Sequence, residues 1–139
     1  MRILALDFGE RRIGVAVTDP TGMLAQPLET VERRPPPSRT HLDQIAELAL
    51  EYRAARIVVG LPLHMDGRAG PEVEAVRAFG LEVAARTGVP VDYLDERWTT
   101  REAERTLREL GVSSRKRRRR LDPIAASLIL RTYLERGLR

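Results

Sequence analysis

Cysteine is absent from the 139-residue chain, which excludes disulfides and thiolate metal sites and leaves the cytoplasm as the expected compartment. Histidine is scarce, since His41 and His64 are the only two, so neither a histidine-based metal centre nor a Ser/His/Asp triad is indicated. Long apolar runs are also missing. The apolar start is far shorter than the roughly 20 residues of a membrane span, so we expect no signal peptide and no membrane partner.

Lysine is nearly absent as well, because only Lys116 among the 24 basic residues is not arginine. The formal net charge is +4. Arginine makes forked contacts with phosphate, so a mildly basic, arginine-rich chain suggests a polyanionic partner. The charge alone fits a solvated surface equally well. The length predicts a single domain over residues 1–139 with one core.

Apolar patterns and turn residues divide the chain into five strands and four helices. The strands are predicted at residues 3–9, 13–17, 23–31, 55–61 and 89–94. The helices are predicted at residues 39–52, 72–87, 99–110 and 122–136, and residues 112–120 are expected to be a mobile polar segment. Short turns make the first three strands an antiparallel meander, whereas the later β-α-β units demand parallel pairing. The predicted fold is α/β, a mixed five-stranded sheet flanked by helices.

Acidic residues occur where three of these elements begin or end. Asp7 closes the first apolar strand, and Asp95 and Glu96 follow the fifth. Strands one and five run the same way in this topology, so their carboxyl ends lie at one edge of the sheet. Asp122 precedes Pro123, a pair typical of a helix N-cap and first helical residue, and its helical spacing predicts that it faces the sheet.

Three carboxylates that converge would repel one another unless a divalent cation held them. Mg²⁺ takes oxygen ligands, and two such ions about 4 Å apart can hydrolyse a phosphodiester. In this hypothesis Asp7 bridges the ions, while Glu96 and Asp122 each complete one site. Each acid also has a simpler explanation, since Asp122 and the Asp95–Glu96 pair could act as helix caps, and Asp7 could accept backbone N–H bonds.

Basic residues lie near these acids. Arg97 follows the acid pair and could contact a phosphate, or form a surface ion pair. Trp98 could stack on a base, although a sole tryptophan is more often part of the core. The predicted nucleic-acid surface consists of Arg11, Arg12, Arg115, Lys116, Arg117, Arg118, Arg119 and Arg120. The run from 115 to 120 alone would fit a solvated tail, but its position before Asp122 favours contact with nucleic acid.

Four motifs resemble one known family. They are L-D-F-G at 6–9 with R-I-G-V-A at 12–16, V-V-G-L-P-L at 58–63 with M-D-G at 65–67, D-E-R-W-T-T at 95–100, and D-P-I-A-A at 122–126. The chain resembles the YqgF family, also called RuvX, of RuvC-like proteins with an RNase H-like fold.

The resemblance implies a cytoplasmic nuclease for the 5′ end of pre-16S rRNA, with a divalent metal (Mg²⁺ or Mn²⁺) held at Asp7, Glu96 and Asp122. Structured RNA, branched DNA and the ribosome are the implied partners, and a monomer and a homodimer remain open. RuvC-like nucleases usually carry the second acid on the fourth strand, which here ends in Gly60-Leu61-Pro62. Strand alternation predicts that Asp95 lies on the face of Val91 and Tyr93 and Glu96 on the other face, and we choose Glu96 for its longer reach.

Three other functions compete with a metal-dependent pre-rRNA nuclease. The first is a Holliday-junction resolvase-like DNA nuclease, which relatives have been proposed to be. The second is a module that binds structured RNA without cutting it, which would bind in a salt-sensitive manner. The third is a phosphotransferase of the actin and sugar-kinase type, because Asp7-Phe8-Gly9 resembles the D-x-G turn of those folds. That reading needs a second domain, for which 139 residues leave no room without dimerisation.

Overall fold

The computed structural model describes residues 1–63, 66–95 and 114–136, and the backbone alone for residues 114–121. The chain order alternates between strands and helices after an initial three-stranded segment. The elements are β1 (Arg2–Phe8), β2 (Arg12–Thr18), β3 (Ala25–Glu32), α1 (Thr40–Glu51), β4 (Ala54–Leu61), α2 (Pro71–Thr87), β5 (Val91–Asp95) and α3 (Ser114–Arg136). No helix in these described segments is long and apolar enough to cross a bilayer.

The five strands form one mixed sheet with the order β3-β2-β1-β4-β5. The β1–β2 and β2–β3 pairs are antiparallel, whereas β4 pairs in parallel with both β1 and β5. This confirms the meander and the parallel pairs predicted from the turn residues and from the helices between the later strands.

Side chains of β1 alternate between two separate apolar clusters. Leu4 and Leu6 pack in the cluster that α1 and α2 cover, and Ile3 and Ala5 pack in the cluster that α3 covers. Covering on both faces explains why this strand reads as a continuous apolar run rather than as an alternating one. The two faces are called the α1/α2 face and the α3 face below.

Most boundaries agree with the sequence to within about two residues, the usual uncertainty of helix ends. Helix α2 ends where it was predicted, and Gly88 follows it with a φ of 72°. This left-handed conformation costs glycine little, so Gly88 serves as the expected C-cap residue. The predicted helix at residues 99–110 lies outside the described residues.

The start of the last helix was predicted wrongly. We expected a polar segment at 112–120 and a helix that begins at Asp122–Pro123, but α3 begins at Ser114 and contains Pro123 in its interior. Arginine is a good helix former, so a run of arginines extends a helix readily. Proline removes one helical hydrogen bond but does not always end a helix. Asp122 therefore lies within α3 and is not its N-cap.

A polar contact joins α3 to the sheet far from its start. Tyr133 is 3% exposed and donates a hydrogen bond of 2.7 Å to Asp92 Oδ2, and Arg56 Nη1 lies 2.6 Å from the same oxygen. The hydrogen bond from Tyr133 and then that from Arg56 hold the pKa of Asp92 below its ordinary value. This contact stabilises the fold where Asp92 is ionised.

Replacing Tyr133 with phenylalanine should lower the free energy of unfolding by about 1 kcal/mol at pH 7, since a hydrogen bond to the partly exposed Asp92 carboxylate contributes little more. A carboxyl whose folded pKa is depressed stabilises above its unfolded pKa, about 3.9, and loses that effect as the pH falls through the folded pKa. Urea titrations at pH 7 and at lower pH should therefore show the difference shrinking in acid. Tyr52→Phe is the control, and an equal loss in both variants would contradict this account.

Candidate active site

The first part of the site is the end of β1. Asp7 follows Leu6, which is fully buried, and is itself partly exposed. Because side chains alternate along a strand, Asp7 shares the α3 face with Ile3 and Ala5. The hairpin to β2 is closed by a 2.8 Å hydrogen bond from the Gly9 N–H to the Arg12 carbonyl. The sequence thus places a carboxylate where the apolar strand reaches the edge of the sheet.

Asp122 reaches the same place through a glycine in β2. Gly14 pairs with Asp7 in the antiparallel register. A Cβ atom on Gly14 would lie 1.9 Å from the Asp122 carbonyl oxygen and 2.8 Å from its Cα atom. Residues directly opposite in an antiparallel pair point to the same face, so Asp122 lies over Gly14 and beside Asp7 on the α3 face. The close approach is possible only because Gly14 has no side chain.

Arg12 binds Asp122 in this arrangement. Its Nε atom lies 2.9 Å from Asp122 Oδ2, and the two side chains are 31% and 19% exposed. Burial raises the pKa of Asp122 above its ordinary value, and Arg12 acts in the opposite direction. Burial removes water from the ionised Asp122 carboxylate at a cost in free energy, and the nearby Arg12 cation partly offsets that cost.

The end of β5 separates the two acids considered for the third position. Leu94 belongs to the apolar cluster of the α3 face, whereas Val91 and Tyr93 pack against the α1/α2 face. Alternation therefore places Asp95 on the α1/α2 face, opposite to Asp7. Glu96 and Arg97 lie outside the described residues. Within residues 1–63, 66–95 and 114–136, no group of three histidine or acidic side chains is close enough to hold a metal ion.

A basic groove lies beside the hairpin. It has a volume of about 520 Å³ and is lined by Glu10, Arg11, Arg12, Glu32, Arg33, Arg34, Pro35 and Pro36. Arg33 was not among the predicted residues, because nothing in the sequence between the third predicted strand and the first predicted helix distinguished it from its neighbours. Its Nη1 atom donates hydrogen bonds to the carbonyls of Gly9 and Glu10, at 2.8 and 2.9 Å. We call this the arginine groove. The backbone of residues 115–120 forms the start of α3, and their side chains lie outside the described part.

A family model described as "RuvX: Holliday junction resolvase" matches residues 1–136. The chain belongs to the RuvX family. A relative from Streptococcus sanguinis (strain SK36), named "Putative pre-16S rRNA nuclease", is 44% identical over 138 residues, which is 99% of each chain. A relative with the same name from Streptococcus pneumoniae (strain Hungary19A-6) is 44% identical over 137 residues, covering 98% of this chain and 99% of the relative.

Two solved structures share the fold of this RuvX protein. Thermus thermophilus RuvC in complex with a Holliday junction substrate has a TM-score of 0.63 at 20% identity, covering 99% of this chain and 97% of that one. The fowlpox virus resolvase in complex with Holliday junction DNA has a TM-score of 0.61 at 9% identity, covering all of both chains. These likenesses confirm the RuvC-like, RNase H-like fold that the sequence motifs implied.

Proposed function

We propose that this RuvX protein is a metal-dependent endonuclease that hydrolyses phosphodiesters in the maturation of the 5′ end of pre-16S rRNA. The observation that supports it most directly is the packing of Asp122 on Gly14, which brings two carboxylates from distant parts of the chain to one edge. The names of the relatives at 44% identity favour pre-16S rRNA as the substrate. The cytoplasm is the expected compartment and the ribosome an expected partner.

The two described carboxylates fit a hard divalent cation. Both offer oxygen ligands, and burial makes the ionised form of Asp122 dependent on positive charge. In our proposal Asp7, Asp122 and Glu96 hold Mg²⁺ or Mn²⁺. Glu96 is preferred to Asp95 because Asp95 lies on the opposite face of the sheet. Bound cations would lower the pKa of water and stabilise the charge that develops on the leaving oxygen.

The residues of this chain have separate tasks in the proposed reaction. Asp7 is fixed by the β1–β2 pairing, and Asp122 is fixed by α3 and by Arg12. Burial raises the pKa of Asp122, and Arg12 helps to keep that carboxyl ionised because it opposes this rise. Arg11 and the basic residues at 115–120 would bind the phosphate backbone, and Arg97 the phosphate at the cleavage site. These contacts orient a nucleic-acid strand across the acids.

A DNA-directed resolvase is the second candidate, because the family description names Holliday junction resolvase. A third candidate, binding of structured RNA without cleavage, would use the same basic groove but would not need two converging carboxylates. The acids therefore favour a nuclease over a binding module. A cleavage assay with both nucleic acids decides whether RNA or DNA is the substrate.

Cleavage of two substrates by one preparation tests the proposed function. An RNA that spans the 5′ end of 16S rRNA and a synthetic four-way DNA junction should be incubated with Mg²⁺, with Mn²⁺ and with EDTA. We expect metal-dependent cleavage of the RNA, at least about 100-fold faster than that of the junction, a preference equivalent to about 2.7 kcal/mol. Preferential junction cleavage would favour the resolvase, and binding without cleavage in any metal would favour the binding module.

A further inference from the structure

Arg12 borders two parts of the proposed site at once. It opens β2 directly after the hairpin, and its Nε atom lies 2.9 Å from Asp122 Oδ2. The same side chain lines the arginine groove. A guanidinium group carries five N–H donors in a planar fork, and the contact from Nε uses one of them. Arg12 therefore lies between a proposed metal ligand and the proposed path of the nucleic-acid backbone.

The contact with Arg12 opposes the binding of a cation by Asp122. Nε donates to one of the two carboxylate oxygens that a metal ion would use. The guanidinium is also permanently charged, so it repels a divalent cation at the same carboxylate. The backbone of Asp122 is fixed, because it packs on Gly14 so closely that a Cβ atom there would lie 1.9 Å from the Asp122 carbonyl oxygen. A cation thus gains full access to this carboxylate only when the Arg12 side chain moves.

The arginine groove offers Arg12 a second partner when it contains a phosphate. Four arginines and two glutamates line the groove, so its walls carry a net positive charge. Arg33 is fixed to the hairpin by hydrogen bonds from its side chain to the carbonyls of Gly9 and Glu10, and from its backbone N–H to that of Arg11. Arginine pairs with phosphate as well as with carboxylate, because both groups offer two oxygen acceptors to its fork. A backbone phosphate in the groove would therefore compete with Asp122 for Arg12.

We propose that Arg12 is a switch that couples the binding of nucleic acid to the binding of metal. In the free protein it pairs with Asp122 and keeps the affinity for a divalent cation low. A phosphate of the strand in the arginine groove draws the guanidinium away and leaves both carboxylate oxygens to the cation. This inference deepens the proposed nuclease function and rests on it, since it makes the substrate strand a condition for tight metal binding. Such coupling is reciprocal, so metal and strand each raise the affinity for the other.

Titration with Mn²⁺ alone tests whether Arg12 opposes metal binding. Electron paramagnetic resonance distinguishes free from bound Mn²⁺, and the titration is done without nucleic acid at about pH 8, where an aspartate is ionised. We expect Arg12→Gln to bind Mn²⁺ about tenfold more tightly than the wild type, a typical size for coupling between sites. Arg34→Gln is the matched control, because it removes one exposed charge from the same groove. It should change the affinity by less than about threefold, since solvent screens that charge.

The nuclear magnetic resonance signal of the Arg12 Nε–H group tests whether a strand releases Asp122. The signal is assigned in ¹⁵N-labelled protein by its loss in Arg12→Gln. Without nucleic acid, its position should differ between the wild type and Asp122→Ala, because the variant lacks the carboxylate. A single-stranded RNA of about 12 nucleotides is then added in EDTA, so that no metal-dependent cleavage occurs. We expect the two signals to coincide once the strand is bound, since Arg12 then contacts phosphate in both proteins.

Equal Mn²⁺ affinities of Arg12→Gln and the wild type would overturn the switch, as would an equal gain in Arg34→Gln. An Arg12 signal that still depends on Asp122 with the strand bound would overturn it as well. Asp7→Asn shows which proposal has failed. Weakened Mn²⁺ binding in Asp7→Asn beside an unchanged Arg12→Gln contradicts the switch alone, whereas unchanged binding in Asp7→Asn contradicts the metal site of the proposed function. Thermal melting checks that each variant is folded, and Arg12→Met is the substitute if Arg12→Gln is not.

Discussion

Asp7→Asn should reduce metal-dependent cleavage by on the order of 10³-fold or more, equivalent to about 4 kcal/mol, while the affinity for the uncut substrate remains nearly unchanged. Asparagine has nearly the same shape but carries no charge, so it is a poor ligand for a hard divalent cation. Asp7 lies at the exposed end of β1, and the strands around it pair through backbone atoms that the substitution leaves in place. The measurement is single-turnover cleavage in Mg²⁺ and in Mn²⁺.

Three further variants test whether the loss of cleavage is specific to the proposed metal-binding acids. Asp43→Asn, an exposed acid on α1, is the control for removing one negative charge and should cut at the wild-type rate. Glu96→Gln should be as inactive as Asp7→Asn, whereas Asp95→Asn should retain most activity, since Asp95 lies on the other face. Full activity of a folded Asp7→Asn variant would exclude the proposed site. Inactivity of Asp95→Asn with an active Glu96→Gln would reverse the choice of the third acid.

Gly14→Ala should have the second largest effect, although glycine and alanine differ by one methyl group. The added Cβ would lie 1.9 Å from the Asp122 carbonyl oxygen, so the backbone of α3 must move away from β2. We expect a loss of about 3 kcal/mol in the free energy of unfolding, at the upper end of ordinary overpacking. Cleavage by the folded fraction should fall by about 100-fold, because a small displacement of a catalytic group suffices for that.

Gly88→Ala provides the matched control at the end of α2. Nothing lies within 4 Å of its Cβ position, but its φ is 72°. This substitution should therefore cost about 1–2 kcal/mol in stability through backbone strain alone. Its activity at a temperature where it is folded should equal that of the wild type. Wild-type activity in Gly14→Ala would mean that the contact between Asp122 and β2 is not needed for the chemistry, contrary to the proposed site.

The sheet could be predicted from sequence because its signals are local. Apolar runs gave the strands, and the lengths of the connections gave their directions. Alternation along a strand could also be used before the structure was known, and it separated Asp95 from Glu96 by face. These predictions needed only the two-residue period of side chains along a strand and the length of the connections between strands.

The rest depended on contacts between residues far apart in the chain. Gly14 appeared as a strand residue within the R-I-G-V-A motif, and nothing in its neighbourhood indicated that Asp122 would lie on it. Arg33 fell between the third predicted strand and the first predicted helix without a predicted role, but it binds two carbonyls of the hairpin and lies over Phe8. The Asp122-Pro123 pair carried a strong local signal for a helix start, and the helix nevertheless begins at Ser114. Local rules identify candidates for such positions but do not rank them when two rules compete.

Helix α3 holds Asp122 over Gly14 at one point and Tyr133 against Asp92 at another. An α-helix turns by about 100° for each residue. One residue inserted or deleted between these two contacts would rotate Asp122 by that angle relative to the sheet. The two contacts therefore constrain the number of residues between 122 and 133. Changes of chain length within the family should therefore be rarer in this part of α3 than in surface loops.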